Sequence, residues 1–151
     1  MPSPEESLYP ADWLQIAEKD WKRVERLLDE DDPELAGFCL QQAVEKFLKA
    51  FLLFQGWQLR RIHNLDALLD DAITYDASLE EFRDVCQKIS GFYFVERYPI
   101  VVETGIEEED VRISWDQVRE LVEKIRVQIT HEEEESGGSS DDGELDDESV
   151  S

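Results

Sequence analysis

Residues 58–66, QLRRIHNLD, place two arginines and a histidine within four positions of one another. A guanidinium group binds a phosphate through two parallel hydrogen bonds, and an imidazole exchanges a proton near neutral pH. Arg60, Arg61 and His63 therefore predict a small site for a phosphate group. The same stretch is also typical of a turn between two helices. In that interpretation the His63 ring would bond a backbone carbonyl or Glu45 and tie the turn to the preceding helix.

The preceding helical segment, residues 33–55, adds two cations to this stretch. Gln42, Glu45, Lys46 and Lys49 recur at three- and four-residue steps and therefore share one face of a helix. Lys46 and Lys49 would lie near the arginines and extend the predicted phosphate site. The alternative is a solvated polar stripe, stabilised by an ion pair between Glu45 and Lys49.

A third candidate region is the aromatic stretch GFYFVERYP, residues 91–99. Tyr93 and Tyr98 could stack on a purine base while Arg97 contacts a phosphate. The apolar residues between them favour a core segment instead, so both interpretations stay open.

The charge of the chain limits the ligands that it can bind. The 151 residues hold 38 acidic and 15 basic residues, a formal net charge of -23. Ten of the acidic residues and none of the basic residues lie in 132–151, which leaves a net charge of -13 on 1–131. An acidic surface opposes the phosphate neutralisation on which bulk nucleic-acid binding depends. A focused cluster of cations can still bind a single phosphate group.

The elements that position these residues are predicted to be helices. Apolar periodicity and turn signals give helices over 11–30, 33–55, 65–73, 79–98 and 115–131. Predicted helix starts are Asp32 with Pro33, Asn64, a capping box of Ser78 and Glu81, and a capping box of Ser114 and Gln117. Gly56 is predicted to end the second helix. The link 99–113 contains strand-forming residues but has no partner strand.

The predicted fold is all-α: an antiparallel up-and-down bundle of four main helices plus one short helix. Residues 1–9 form an N-terminal extension, residues 10–131 the helical domain, and residues 132–151 a disordered acidic tail, because the tail has too little apolar surface to offset its ordering entropy.

The cellular setting is predicted to be the cytoplasm. The N-terminus lacks the basic and apolar segments of a signal peptide, and no apolar run is long enough to span a bilayer. Cys39 and Cys86 have no metal-ligand spacing and are interpreted as buried hydrophobic residues. No metal and no cofactor is expected.

Three segments in order resemble the HEPN domain family: QQAVEKFLKAFL at 41–52, HNLDALL at 63–69 and RYP at 97–99. The resemblance is to the branch of small prokaryotic proteins found beside minimal nucleotidyltransferases, and it covers roughly residues 10–130. It implies a helical bundle that is commonly a homodimer, with nucleotide or RNA chemistry in the wider family. Ile100 stands where the family usually has an aspartate after RYP, so any role of that carboxylate is in doubt here.

Many HEPN toxins are metal-independent ribonucleases with an arginine and a histidine separated by four to six residues. The one literal match is RVQITH, from Arg126 to His131. Val127 replaces the polar residue that usually follows the arginine, and His131 borders four glutamates that would repel RNA. Arg126 and His131 are therefore the alternative catalytic pair, and a chance match in the last turn of a helix is favoured.

Three functions follow from these patterns. The first is the HEPN partner of a minimal nucleotidyltransferase in a two-component toxin–antitoxin-like or regulatory module. That protein would bind a nucleotide phosphate and would not be an efficient catalyst. The alternative is a ribonuclease toxin that uses Arg126 and His131, and the third is a structural helical dimer for protein–protein contacts.

Overall fold

The structure, a computed structural model, describes residues 7–92 and 106–140, with side chains as far as residue 130. The described residues form α-helices and one 3₁₀-helix and contain no strand. The helices are α1 (Pro10–Asp29), α2 (Pro33–Phe54), α3 (Leu65–Ile73), a 3₁₀-helix (Ala77–Phe82), α4 (Arg83–Ser90) and α5 (Glu108–Ser140). The predicted all-α helical bundle is confirmed.

Helices α1 and α2 form the antiparallel pair at the centre of the bundle. Three residues connect them, and Asp31 among them takes a left-handed φ of 61°. The Asp32 carboxylate accepts a hydrogen bond from the Leu35 backbone N–H, as its predicted role as N-cap requires. Short connections of this kind place consecutive helices side by side in opposite directions.

Helix α2 is the most buried element, and it packs against α1, α3 and α5. Gly37 permits one close approach to it, since a Cβ at this position would lie 3.1 Å from Cγ of Phe92. Gly56, with a φ of +94°, ends the helix as predicted, and the Trp57 N–H closes the turn on the Leu52 carbonyl.

The helix start at Asn64 is also as predicted. Its side chain accepts hydrogen bonds from the backbone N–H groups of Asp66 and Ala67, and α3 occupies the expected residues 65–73. Cys39 and Cys86 are free and buried, as the apolar patterns predicted. Burial raises the pKa of the Cys86 thiol to about 12.

Two predicted helix starts are wrong. Asp76, rather than Ser78, caps the fourth helical segment, because its carboxylate accepts from the Ser78 N–H and the segment opens with a 3₁₀ turn. The last helix begins at Glu108, six residues before the predicted cap at Ser114. Acidic residues in its first turn favour this start, and Ser114 is instead fully buried in the helix.

At the other end, α5 extends to Ser140, nine residues beyond the expected end of the helical domain. Residues 141–151 of the predicted tail lie outside the described residues, as does 93–105. The predictions made for Tyr93, Arg97, Tyr98 and the link 99–105 therefore fall outside what the structure describes.

Candidate functional site

The basic stretch forms the connection between α2 and α3, and several contacts fix it on the bundle. The Trp57 indole N–H donates to the Asp71 carboxylate at 3.0 Å, and the Gln41 side chain donates to the His63 carbonyl oxygen at 3.4 Å. Leu59 and Ile62 pack partly against the core. These two apolar residues flank Arg60 and Arg61 in the sequence and hold this part of the connection on the bundle.

A cavity of about 300 Å³ lies between this connection and helices α1 and α2. All five residues that the sequence predicted there line it, namely Lys46, Lys49, Arg60, Arg61 and His63. The remaining lining residues are Trp13, Phe38, Gln42 and Glu45. Four permanent cations thus share one cavity with a single carboxylate, and its volume is at the lower end of the range of roughly 300–1,000 Å³ that is typical of small-molecule sites.

The floor of the cavity is a buried ion pair. Lys49 Nζ lies 3.0 Å from Glu45 Oε2, and each side chain is only 3% exposed. The predicted pair is present, but the interpretation of this face as a solvated stripe is wrong. Trp13 covers it, with its ring centroid 5.1 Å from the Lys49 ammonium.

Glu45 also holds the histidine. His63 Nδ1 lies 2.8 Å from Glu45 Oε2, while the His63 side chain is 61% exposed. This is one of the two bonds predicted for a structural His63. A carboxylate only accepts hydrogen bonds, and Oε2 of Glu45 also accepts from the Lys49 ammonium at 3.0 Å. The hydrogen is therefore on Nδ1, and Nε2 is left for solvent or a ligand.

Lys46 and Arg60 each contact a carboxylate that does not line the cavity. Lys46 Nζ is 3.2 Å from Asp20 Oδ2 and donates to the Gln42 side chain at the same distance. Arg60 is 61% exposed and reaches Asp71 at 3.3 Å. The Arg60 contact is long and exposed, so it contributes little free energy and Arg60 can turn toward an anion at small cost. The Lys46–Asp20 pair is mostly buried, with side chains 18% and 9% exposed, and holds Lys46 in place at the edge of the cavity.

Sequence reasoning missed Glu45 and Trp13 as parts of this site. Glu45 was recognised only as a structural partner of Lys49 or His63, and Trp13 fills an apolar position of α1. The spacing of Glu45 four residues before Lys49 was the available signal for a carboxylate in the site. Nothing in the sequence of α1 indicated that Trp13 borders a cavity rather than only the core.

Arg126, of the alternative catalytic pair, lies elsewhere and is fully engaged. Its Nε and Nη2 atoms each donate to the Glu18 carboxylate at 2.7 Å, and its guanidinium lies over the Trp21 and Phe47 rings. The hydrogen bonds to Glu18 raise the pKa of Arg126. His131 follows five residues later in the same helix, so the two positions point about 140° apart around its axis.

Other classes of site find no support in the described ranges. Within 7–92 and 106–140, no cluster of histidine, cysteine or carboxylate side chains could hold a metal ion. None of the described helices is long and apolar enough to cross a membrane.

Comparison with known proteins gives one match. The family model described as HEPN domain matches residues 10–128. No curated protein and no solved structure matches the chain. The matched range includes all the residues that line the cavity, and it ends just after Arg126.

Proposed function

Because the chain belongs to the HEPN domain family, we propose that its cavity binds the phosphate of a nucleotide and that the protein is the HEPN partner of a minimal nucleotidyltransferase. The two proteins would form a two-component toxin–antitoxin-like or regulatory module. In this module the HEPN protein binds and responds to the nucleotide, and it is not an efficient catalyst itself.

The observation that carries the proposal is the convergence of four cations on one cavity in a strongly acidic protein. Lys46, Lys49, Arg60 and Arg61 line a space of about 300 Å³, whereas the whole chain has a net charge of -23. The acidic remainder opposes the approach of a long polyanion, and the enclosed shape suits a single phosphate group with its sugar.

The arrangement of Arg126 supports the second half of the proposal. A ribonuclease of the Arg–His type needs its arginine available to the scissile phosphate. Here Glu18 and two aromatic rings hold the guanidinium, and His131 is on another side of the helix. Freeing Arg126 would leave the half-buried Glu18 without its main partner.

Nucleotide binding is tested by titration calorimetry with ATP and GTP. Arg60→Ala combined with Arg61→Ala should weaken binding at least about tenfold, because each charge-assisted contact to a phosphate contributes roughly 1.5–3 kcal/mol. The thermal midpoint should stay near that of the wild type, since both side chains belong to a surface connection.

A matched control removes two other positive charges. Lys88→Ala with Arg112→Ala changes the net charge equally, and both side chains are almost half exposed and lie outside the cavity lining. This control should bind ATP as the wild type does. Absence of ATP and GTP binding by the wild type, or equal weakening in the two double variants, would contradict the proposal.

Catalysis is tested with single-stranded RNA. We expect trace cleavage at most, and no change on replacing Arg126 and His131 together. Robust cleavage that disappears in His131→Ala would instead establish the ribonuclease alternative.

The proposed partners need separate measurements. Light scattering at micromolar concentration should give twice the mass of one chain, because the family resemblance implies a homodimer. Co-purification with a minimal nucleotidyltransferase, provided that a neighbouring gene encodes one, tests the second partner. A monomer in the first measurement, or no complex in the second, would count against the corresponding part of the proposal.

A further inference from the structure

His63 and Glu45 form a carboxylate–histidine pair at the mouth of the cavity. Glu45 is 3% exposed and lies 2.8 Å from Nδ1 of the ring, whereas the His63 side chain as a whole is 61% exposed. Buried carboxylates that hold one ring nitrogen fix both the orientation and the tautomer of an imidazole. The pair therefore presents a defined Nε2 atom beside the arginines.

We propose that His63 is the proton-exchanging group of this cavity, and that a terminal phosphate group binds there together with a proton taken up at His63 Nε2. The inference rests on the proposed phosphate site and specifies how that site recognises its ligand. Glu45 is the positioning residue, and the ligand class is a nucleotide or other compound with a terminal phosphate.

The tautomer of the His63 ring determines how the ring interacts with a phosphate. With Nδ1–H donating to Glu45, a neutral ring carries its lone pair on Nε2. That lone pair repels the acceptor oxygens of a phosphate dianion. After protonation the same atom becomes a charged donor, and the proton that it gains comes from solvent. Phosphate binding therefore selects the imidazolium form.

The charged groups around His63 have opposing effects on the protonation of its ring. The cavity contains Lys46, Lys49 and Glu45 from α2 and Arg60 and Arg61 from the connection, while Asp20 of α1 and Asp71 of α3 contact Lys46 and Arg60 from outside. The cations oppose a further positive charge on the empty cavity, and Glu45 favours it. A bound phosphate adds two negative charges next to the ring and shifts this balance toward the imidazolium.

By thermodynamic linkage, a ligand that favours the protonated ring binds more tightly as the pH falls. The coupling acts in the range from about pH 5 to 8, where histidine is the side chain that exchanges its proton. The phosphate itself takes up a proton near about pH 6. A variant without the imidazole keeps the proton uptake of the phosphate, so its difference from the wild type isolates the effect of the ring.

His63→Asn is the matched variant. Its side-chain amide can still donate to Glu45, but it does not titrate. Titration calorimetry with ATP near pH 7, in buffers of different ionisation enthalpy, gives the number of protons taken up. We expect the wild type to take up about half a proton more than the variant, and to bind about threefold more tightly near pH 7 than the variant with little difference near pH 8.5.

Nitrogen-15 spectra of the imidazole rings provide a second measurement. The chain has two histidines, so a His131→Gln variant assigns both rings. The empty protein should show His63 in the Nδ1–H tautomer at about pH 8, and saturation with ATP near pH 7 should move its signals to those of the imidazolium.

Each outcome decides something different. If ATP binds with equal proton uptake in the wild type and His63→Asn, or if the empty protein shows the Nε2–H tautomer, this inference is wrong and the phosphate site stands. If ATP does not bind the wild type, the proposed function and this inference fail together.

Discussion

Arg60 and Arg126 are the same residue type in opposite surroundings. Arg126 is 26% exposed, donates twice to Glu18 at 2.7 Å and lies against two aromatic rings. Arg60 is 61% exposed and has one contact of 3.3 Å to Asp71. The availability of an arginine to a ligand therefore depends on how completely the fold already pairs its guanidinium group. A sequence motif defined by spacing alone does not show this pairing.

The carboxylates of the two regions also differ in burial and in the number of their partners. Glu18 is 31% exposed and pairs with Arg126, which joins α1 to α5. Glu45 is 3% exposed and contacts both Lys49 and His63. The first carboxylate stabilises a contact between helices. The second organises a cavity, and its burial makes the protein depend on Lys49 for neutralisation.

The largest expected effect comes from removing the buried carboxylate. Glu45→Ala leaves the Lys49 ammonium buried without a counter-charge, so the free energy of unfolding should fall by about 3–5 kcal/mol. Urea unfolding at neutral pH, followed by circular dichroism, measures this change.

A double variant separates charge from packing. Glu45→Leu with Lys49→Met replaces the pair by apolar side chains of similar length and should recover most of the loss. Asp116→Ala is the exposed control: its carboxylate is 82% exposed and 3.9 Å from Arg119, so the expected change is within about 0.5 kcal/mol. A Glu45→Ala variant as stable as this control would show that Lys49 does not depend on Glu45.

The second-largest expected effect is on stability and comes from replacing Arg126. Arg126→Ala removes a bidentate ion pair and the contact of the guanidinium with Trp21 and Phe47, and it should cost about 1–2 kcal/mol of unfolding free energy. ATP affinity should not change, because Arg126 does not line the cavity.

Arg126→Lys sharpens this test, since it keeps the charge but loses the two parallel hydrogen bonds and the planar stacking. It should fall between the wild type and Arg126→Ala in stability. Loss of ATP binding without loss of stability in either variant would reverse the roles assigned to the two arginines.

The helix ends show where sequence reasoning succeeds in this protein. Asp32, Asn64 and Gly56 were predicted correctly because each acts through its own side chain or backbone on the next few residues. Ser78 failed because Asp76, two residues earlier, provides the stronger acceptor. Ser114 failed because its burial within α5 depends on tertiary packing, which no local pattern contains.

The sequence predicted which cations line the cavity, but it did not predict how deeply Glu45 and Lys49 are buried. Clustered basic residues on one helix face and the next connection indicated the cavity, and all five line it. The burial of Glu45 and Lys49 was not predictable, because helical periodicity shows which residues share a face but not which neighbour covers that face. Here Trp13 and the connection 57–64 cover it.

A third arginine gives the smallest expected effect: Arg83 is 21% exposed, and the carboxylates that it contacts are 42–61% exposed. Arg83 donates to Asp66, Asp70 and Glu80 at 2.7–3.0 Å, and its hydrogen bond lowers the pKa of Glu80 below the ordinary 4.5. A carboxyl group whose pKa is lower in the folded protein contributes stability above its unfolded pKa, and this stability is lost as the pH falls through the folded pKa.

The urea midpoint of the wild type should therefore decrease more than that of Arg83→Gln when the pH is lowered below about 4.5, and the two curves of midpoint against pH should converge in acid. Lys19→Gln removes the same charge from an exposed position of α1 and should follow the wild type. Parallel curves for wild type and Arg83→Gln would mean that solvent screens this network completely, whereas convergence would show that Arg83, like Arg126, is paired for stability, in contrast to the more exposed Arg60.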